Sequence, residues 1–214
     1  MRLYLSSFRM GNRSDQLLGL AGPGRRVAVI ANAMDPQPAE ERVSGVQREF
    51  GALKELGFDP EELDLRDYFL NPGSLGATLR RYDVVWLRGG NGFSLRYALA
   101  RSGGDTQIRT LLEDDAIVYA GYSAGPCVLS PSLEGFELVD PLEVVQRMYG
   151  EPPIWEGLGI LDFSFVPHFK SPGHPETEAI DDVVMYLQNH QIAYRTFRDG
   201  EVLTVDGATT TLFE

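Results

Sequence analysis

A single cysteine, Cys127, leaves no partner for an internal disulfide and too few thiolates for a cysteine-rich metal site. Histidine is nearly as scarce: His168, His174 and His190 are the only three, so any imidazole chemistry must use one of them. No apolar run approaches the roughly 20 residues that a bilayer crossing takes. The first fifteen residues hold neither a long apolar core nor a small-residue cleavage pattern, so no membrane partner is expected and the cytoplasm is the expected compartment. Positive charge is also short, with 19 Lys and Arg against 31 Asp and Glu and a formal charge of −12. Such a surface repels phosphate backbones, which argues against nucleic acid as a partner. It does not exclude an acidic small substrate, because one arginine can dominate a small pocket.

What is present suits one globular unit. The 214 residues are 43% hydrophobic and 23% charged, without internal repeat, low-complexity tract or linker, and are read as one domain spanning 1–214. Continuous apolar runs at 27–33 (VAVIANA), 83–87 (DVVWL) and 116–120 (AIVYA) have the length and composition of strands buried on both faces. Further strands are expected at 2–6, 62–65, 163–166 and 192–197, and a terminal hairpin from 201–205 and 209–213 around Asp206-Gly207. Helices are expected at 14–20, 39–56, 75–81, 94–100, 107–112 and 176–190. In the second of these Val43, Val46, Phe50, Leu53 and Leu56 form the apolar stripe. Residues 131–156 read as irregular. Strands alternating with helices predict an α/β fold: a doubly wound, mostly parallel sheet with helices on both faces. Ligands bind such sheets beyond the carboxyl ends of the strands. The segments 88–92, 121–125 and 167–169 fall there.

Gly121-Tyr122-Ser123-Ala124-Gly125 matches the G-x-S-x-G pattern of a nucleophile elbow. A serine there occupies a tight strand-to-helix turn, and small residues two places either side relieve the crowding. Five residues with three fixed form a weak pattern alone; the AIVYA strand ahead of it supplies the required context. Ser123 is the candidate nucleophile and the Ala124 N–H a candidate oxyanion donor. Among the histidines, His168 follows a strand end on the same edge and is the candidate base. Asp199 follows the next strand and is the candidate orienting carboxylate; Glu134, Glu137 and Asp140 are alternatives nearer the serine.

Arg88-Gly89-Gly90-Asn91-Gly92-Phe93 follows the 83–87 strand. It lacks the spacing of either common nucleotide loop. It is read as a source of a second oxyanion donor, from the N–H of Gly90 or Asn91. Arg88 has two readings: it binds a substrate carboxylate, or it pairs with a nearby acid. Asn91 and His174 are further candidates for substrate contact.

Taken together, R-G-G-N-G-F at 88–93, G-Y-S-A-G at 121–125, P-H-F at 167–169, Gly173-His174 and R-D-G at 198–200 resemble peptidase family S51, that of dipeptidase E and the more distant cyanophycinases. The resemblance covers almost the whole chain. It implies a fold similar to class I glutamine amidotransferases and a serine peptidase with Ser123 as nucleophile and His168 as base. It implies no metal or organic cofactor. The family's third residue matches Asp199 in one assignment; in the other it falls near Gly135, where no aspartate stands. Two departures bear on specificity: Arg88 stands where dipeptidase E has a glycine, and 177–181 read TEAID where it has an arginine-bearing stretch. The expected substrate is a short peptide, with an acidic N-terminal residue as the candidate preference. The alternatives are an esterase or amidase on a non-peptide acyl group, and a non-catalytic binding protein of the same fold. A homodimer is left open.

Overall fold

The computed structural model describes residues 1–214. Its strands are β1 (Arg2–Ser6), β2 (Arg26–Ile30), β3 (Asp59–Glu62), β4 (Val84–Leu87), β5 (Val118–Tyr122), β6 (Ser164–Val166), β7 (Tyr194–Thr196), β8 (Val202–Asp206) and β9 (Thr209–Phe213). Seven form one sheet in the order β3-β2-β4-β5-β1-β8-β9. The first five in that order run parallel, and β8 and β9 close one edge as the expected antiparallel hairpin.

The apolar runs of β2, β4 and β5 are continuous because both faces are covered. Ala28, Ile30, Val85, Leu87 and Tyr119 enter one core with residues from α3 (Leu75–Leu79), α4 (Gly92–Ser102) and α5 (Gly104–Glu113). Val27, Val29, Val84, Trp86, Val118 and Ala120 enter a second core with Leu17 and Ala21 of α1 (Ser14–Ala21) and Leu53 of α2 (Ala39–Glu55). A third cluster joins Phe93 of α4 to Cys127, Val166 and Ile180, Val183 and Leu187 of α8 (Thr177–Asn189).

Four expectations are corrected. β6 and β7 do not join the main sheet; they pair with each other as a separate parallel ladder. The strand expected at 62–65 lies at Asp59–Glu62. It is an edge strand paired only to β2, so its backbone suffices, while Leu63 and Leu65 turn into the core. On α2 the buried positions are Gly45, Val46, Glu49 and Leu53, whereas Val43 is exposed. Residues 131–156 are not wholly irregular, since α7 spans Glu143–Tyr149.

Candidate active site

β5 ends at Tyr122, and Ser123 leaves it with φ 53° and ψ −114°, a conformation that a residue with a side chain rarely holds. The glycines either side have a common steric cause. A Cβ on Gly121 would lie 2.4 Å from the Leu87 carbonyl oxygen, and one on Gly125 2.6 Å from the same atom. The turn therefore folds over the last residue of β4, and only glycine lets it approach. The following helix, α6 (Ala124–Cys127), is a single turn, too short for much of a helix dipole. Its first N–H, on Ala124, has no intrahelical acceptor.

The short β6–β7 ladder sets the base. Val166 registers with Thr196, and the pairing continues through Phe197 N–H to the Val166 carbonyl (2.8 Å) and Phe169 N–H to the Phe197 carbonyl (3.0 Å). That brings His168 and Asp199 side by side: His168 Nδ1 lies 2.7 Å from Asp199 Oδ1, with the imidazole buried. The opposite ring nitrogen, Nε2, is left for the cavity. Burial acts to raise the Asp199 pKa, but the His168 hydrogen bond and charge and a bond from Ser7 outweigh it and hold the carboxyl below its ordinary value. Glu134, Glu137 and Asp140 make no contact with His168. Asp140 instead accepts from the Gly92 N–H at 2.7 Å, and desolvation raises its pKa to about 7.

Ser7, just past the end of β1, was not expected at the site. Its fully buried hydroxyl accepts from the His168 N–H at 2.9 Å and faces Asp199 Oδ1 at 3.0 Å. Ser171 Oγ accepts from the Asp199 N–H at 2.8 Å, and Thr177 Oγ1 donates to the His168 carbonyl at 2.8 Å. His168 itself sits at φ 61° within this frame.

His174 stacks on His168 with ring centroids 3.7 Å apart and an interplanar angle of 4°, while Phe8 packs edge-on against both. Burial first, and then the neighbouring His168, push the His174 pKa down. His168, His174 and Asp199 present ligating atoms within 4.8 Å of one another. The geometry fits a metal poorly: an ion shared by two face-to-face rings would lie well out of each ring plane, where nitrogen has no lone pair, and Asp199 is already engaged.

Ser123 and His168 line one cavity of about 170 Å³ with Phe8, Arg9, Arg48, Arg88, Gly89, Gly90, Tyr122, His174 and Glu176. No hydrogen bond joins the Ser123 hydroxyl to His168. Gly90, at φ 144°, lies against Ala33: a Cβ there would be 2.6 Å from the Ala33 carbonyl oxygen. Asn91 does not face the cavity. Its side chain caps α4 by accepting from the Ser94 N–H (2.8 Å) and donates to the Pro141 carbonyl (3.1 Å). Its N–H is bound to the Ala33 carbonyl, which leaves Gly90 as the free donor of the two. Arg88 is buried beside Glu49, with Nε 3.5 Å from Glu49 Oε1. Arg9 and Arg48, by contrast, are exposed and form no ion pair. Cys127 is buried, its thiol donating to the Phe165 carbonyl and its pKa pushed up by desolvation, which removes it as a nucleophile.

Ser7, Phe8 and Arg9 follow β1 and so share the carboxyl edge with Ser123; that position was the available signal for them. Arg48 and Glu49 lie mid-helix and had none.

A family model described as peptidase family S51 matches residues 13–213. The chain is 31% identical over 188 residues to an uncharacterized peptidase of Listeria innocua, covering 85% of this chain and 84% of the relative. It is 26% identical over 197 residues to peptidase E of Streptomyces coelicolor, covering 90% of this chain and 73% of that one. In fold it is similar to the crystal structure of a candidate peptidase E protein from Listeria monocytogenes EGD-e, with a TM-score of 0.78 at 23% identity, covering 99% of this chain and 97% of that one.

Proposed function

Because the chain belongs to peptidase family S51 and is a serine-type peptidase, we propose that Ser123, His168 and Asp199 form its catalytic triad and that it removes acidic N-terminal residues from short peptides. The observation that carries the triad is the 2.7 Å contact of His168 Nδ1 with a carboxylate on the side of the ring away from the Ser123 cavity.

In this reading the His168 ring closes on the Ser123 hydroxyl when substrate fills the cavity, as catalytic contacts that are loose in the free enzyme commonly do. Ser123 Oγ attacks the peptide carbonyl and its proton passes to His168 Nε2. Asp199 fixes the tautomer and stabilises the imidazolium. The N–H groups of Gly90 and Ala124 hold the oxyanion. His168 then protonates the leaving amine, the carbon–nitrogen bond breaks, and a water activated by the same imidazole releases the acid and restores Ser123.

The preference for an acidic residue is supported by the lining. Arg9 and Arg48 bring two unneutralised positive charges into a small cavity on a protein of net charge −12. Glu176, the one acid there, is suited to the substrate's α-ammonium. The test is a panel of dipeptides and p-nitrophenyl esters on the wild type and Ser123→Ala. Hydrolysis of acidic-residue dipeptides that vanishes in the variant is the expected result. Ester turnover without dipeptide turnover would replace the reading with an esterase, and no labelling of folded protein by a fluorophosphonate would replace it with a binding protein.

A further inference from the structure

We propose that the Glu49–Arg88 pair is a positioning device that holds the Gly89–Gly90 peptide with its N–H turned toward Ser123. The inference rests on the triad reading above and gives Arg88 a role other than substrate binding.

The argument starts from the peptide unit. A trans peptide is planar, with its C=O and the following N–H pointing in opposite directions. Arg88 Nη1 donates to the Gly89 carbonyl oxygen at 2.7 Å. Fixing that oxygen on the arginine side turns the Gly90 N–H to the other side, and this N–H has no backbone partner of its own. The anchor matters because the unit is flanked by two glycines. Neither has a Cβ, so side-chain sterics do little to choose between the peptide and its flipped form. Flipped, the unit would present a carbonyl oxygen to a developing oxyanion.

Arg88 is itself held against α2. Its guanidinium lies flat on α2 at Gly45, where a Cβ would come within 3.0 Å of Nε and 3.1 Å of Cζ and Nη2. Glu49 Oε1 lies 3.5 Å from Nε. Glu49 in turn accepts from Trp86 Nε1 at 3.0 Å and from the Tyr122 hydroxyl at 2.9 Å. Tyr122 immediately precedes the nucleophile, so one buried carboxylate braces the backbone on both sides of the expected oxyanion. With its charge balanced by Glu49 and Nη1 committed to the Gly89 carbonyl, Arg88 is less available to a substrate carboxylate than the unpaired Arg9 and Arg48.

The experiment compares Arg88→Met, Arg88→Lys and Glu49→Gln with the wild type on acidic and neutral dipeptides, with Ser123→Ala as the blank and thermal melts as a check on folding. Loss of a full oxyanion donor costs about 10²–10³ in kcat. A peptide left free to flip should therefore cost Arg88→Met about 10–100-fold in kcat. KM and the acidic-to-neutral ratio should stay within about threefold, the signature of a contact made only in the transition state. Arg88→Lys should recover part of the loss, and Glu49→Gln should fall between. A rise in KM for acidic substrates at unchanged kcat would overturn the proposal in favour of direct substrate binding. A crystal structure of Arg88→Met reads the peptide itself: a rotated or mixed orientation is expected, and an unmoved one overturns the proposal even if no peptide proves to be a substrate. Absence of Ser123-dependent turnover would instead count against the triad.

Discussion

The buried hydroxyl of Ser7 offers a sharp test of how the site is held. Ser7→Ala removes one oxygen that three groups surround: the His168 N–H at 2.9 Å, Asp199 Oδ1 at 3.0 Å and the Phe197 carbonyl at 3.2 Å. The hydroxyl has one proton, so it accepts from His168 and donates to Asp199, the charged and nearer acceptor. Ser7 is fully buried, and the methyl of alanine leaves no room for a water to take over both bonds. An unsatisfied buried N–H costs about 1–3 kcal/mol and a lost bond to a carboxylate about 1.5–3. Shared partners make these less than additive, so about 2–4 kcal/mol is expected. For a domain of this size that is a fall in Tm of about 5–15 °C by calorimetry. The catalytic signature is separate. Without the Ser7 donor, Asp199 becomes more basic, the imidazolium of His168 is better stabilised, and the acid limb of kcat/KM moves to higher pH. A Tm within a degree of wild type, together with an unshifted acid limb, would refute the coupling of β1 to the His168–Asp199 pair.

Arg48→Met should raise KM for acidic dipeptides about tenfold or more, the worth of about 1.4 kcal/mol, while leaving neutral ones little changed; equal effects on both, in steady-state kinetics, would remove Arg48 as the selecting cation. Asp140 has its pKa raised to about 7 in the folded chain, from 3.8, by desolvation. The native state then binds more protons than the unfolded one between those values. The resulting stability is full below pH 4 and is lost as pH rises through 7, by at most about 4 kcal/mol. Asp140→Asn, which keeps an acceptor for the Gly92 N–H, should flatten that fall in urea titrations at pH 5 and 8; an unchanged difference between the two would show that Asp140 is not its source. Gly125→Ala places a Cβ 2.6 Å from the Leu87 carbonyl oxygen, a backbone atom that cannot swing away. A shift of the elbow by a few tenths of an ångström should cost about 1–3 kcal/mol of stability. Activity should fall by about 10²-fold, and wild-type rates in Ser123 acylation assays would contradict the steric reading of the motif.

How much of this was legible follows from how local each feature is. The parallel sheet was readable because strands buried on both faces must be apolar throughout, as 84–87 and 118–120 are. The elbow was readable because its constraint lies between residues two apart and the strand before it. His168 and Asp199 were readable as strand-end residues, although the ladder that carries them is separate from the main sheet; that depends on which backbones pair, and three-residue strands carry little pattern. Val43 reads as core because it falls in helical register with Val46, Phe50 and Leu53, yet the buried face is rotated away from it toward Gly45 and Glu49. The face that is buried includes Gly45 and Glu49, and a buried glutamate is visible only once Trp86, Tyr122 and Arg88 are seen around it. Arg88 kept two readings for the same reason: its counterion lies 39 residues away in sequence, on α2, and only the fold brings the two to 3.5 Å.

The placement of charge in the cavity ties these observations to specificity. Three arginines line it, yet they are not equivalent. Arg88 is buried, and a buried guanidinium without a counterion would cost several kcal/mol, so Glu49 is the condition for its presence. That neutralisation removes it from competition for anions and frees it to fix a backbone oxygen. Arg9 and Arg48 remain in contact with water, where an unpaired charge is inexpensive, and can exchange that water for a substrate carboxylate. On the proposed reading, Arg88 therefore serves the rigidity of the 89–90 loop, and any selection for an acidic substrate would fall to Arg9, on the loop after β1, and Arg48, on α2.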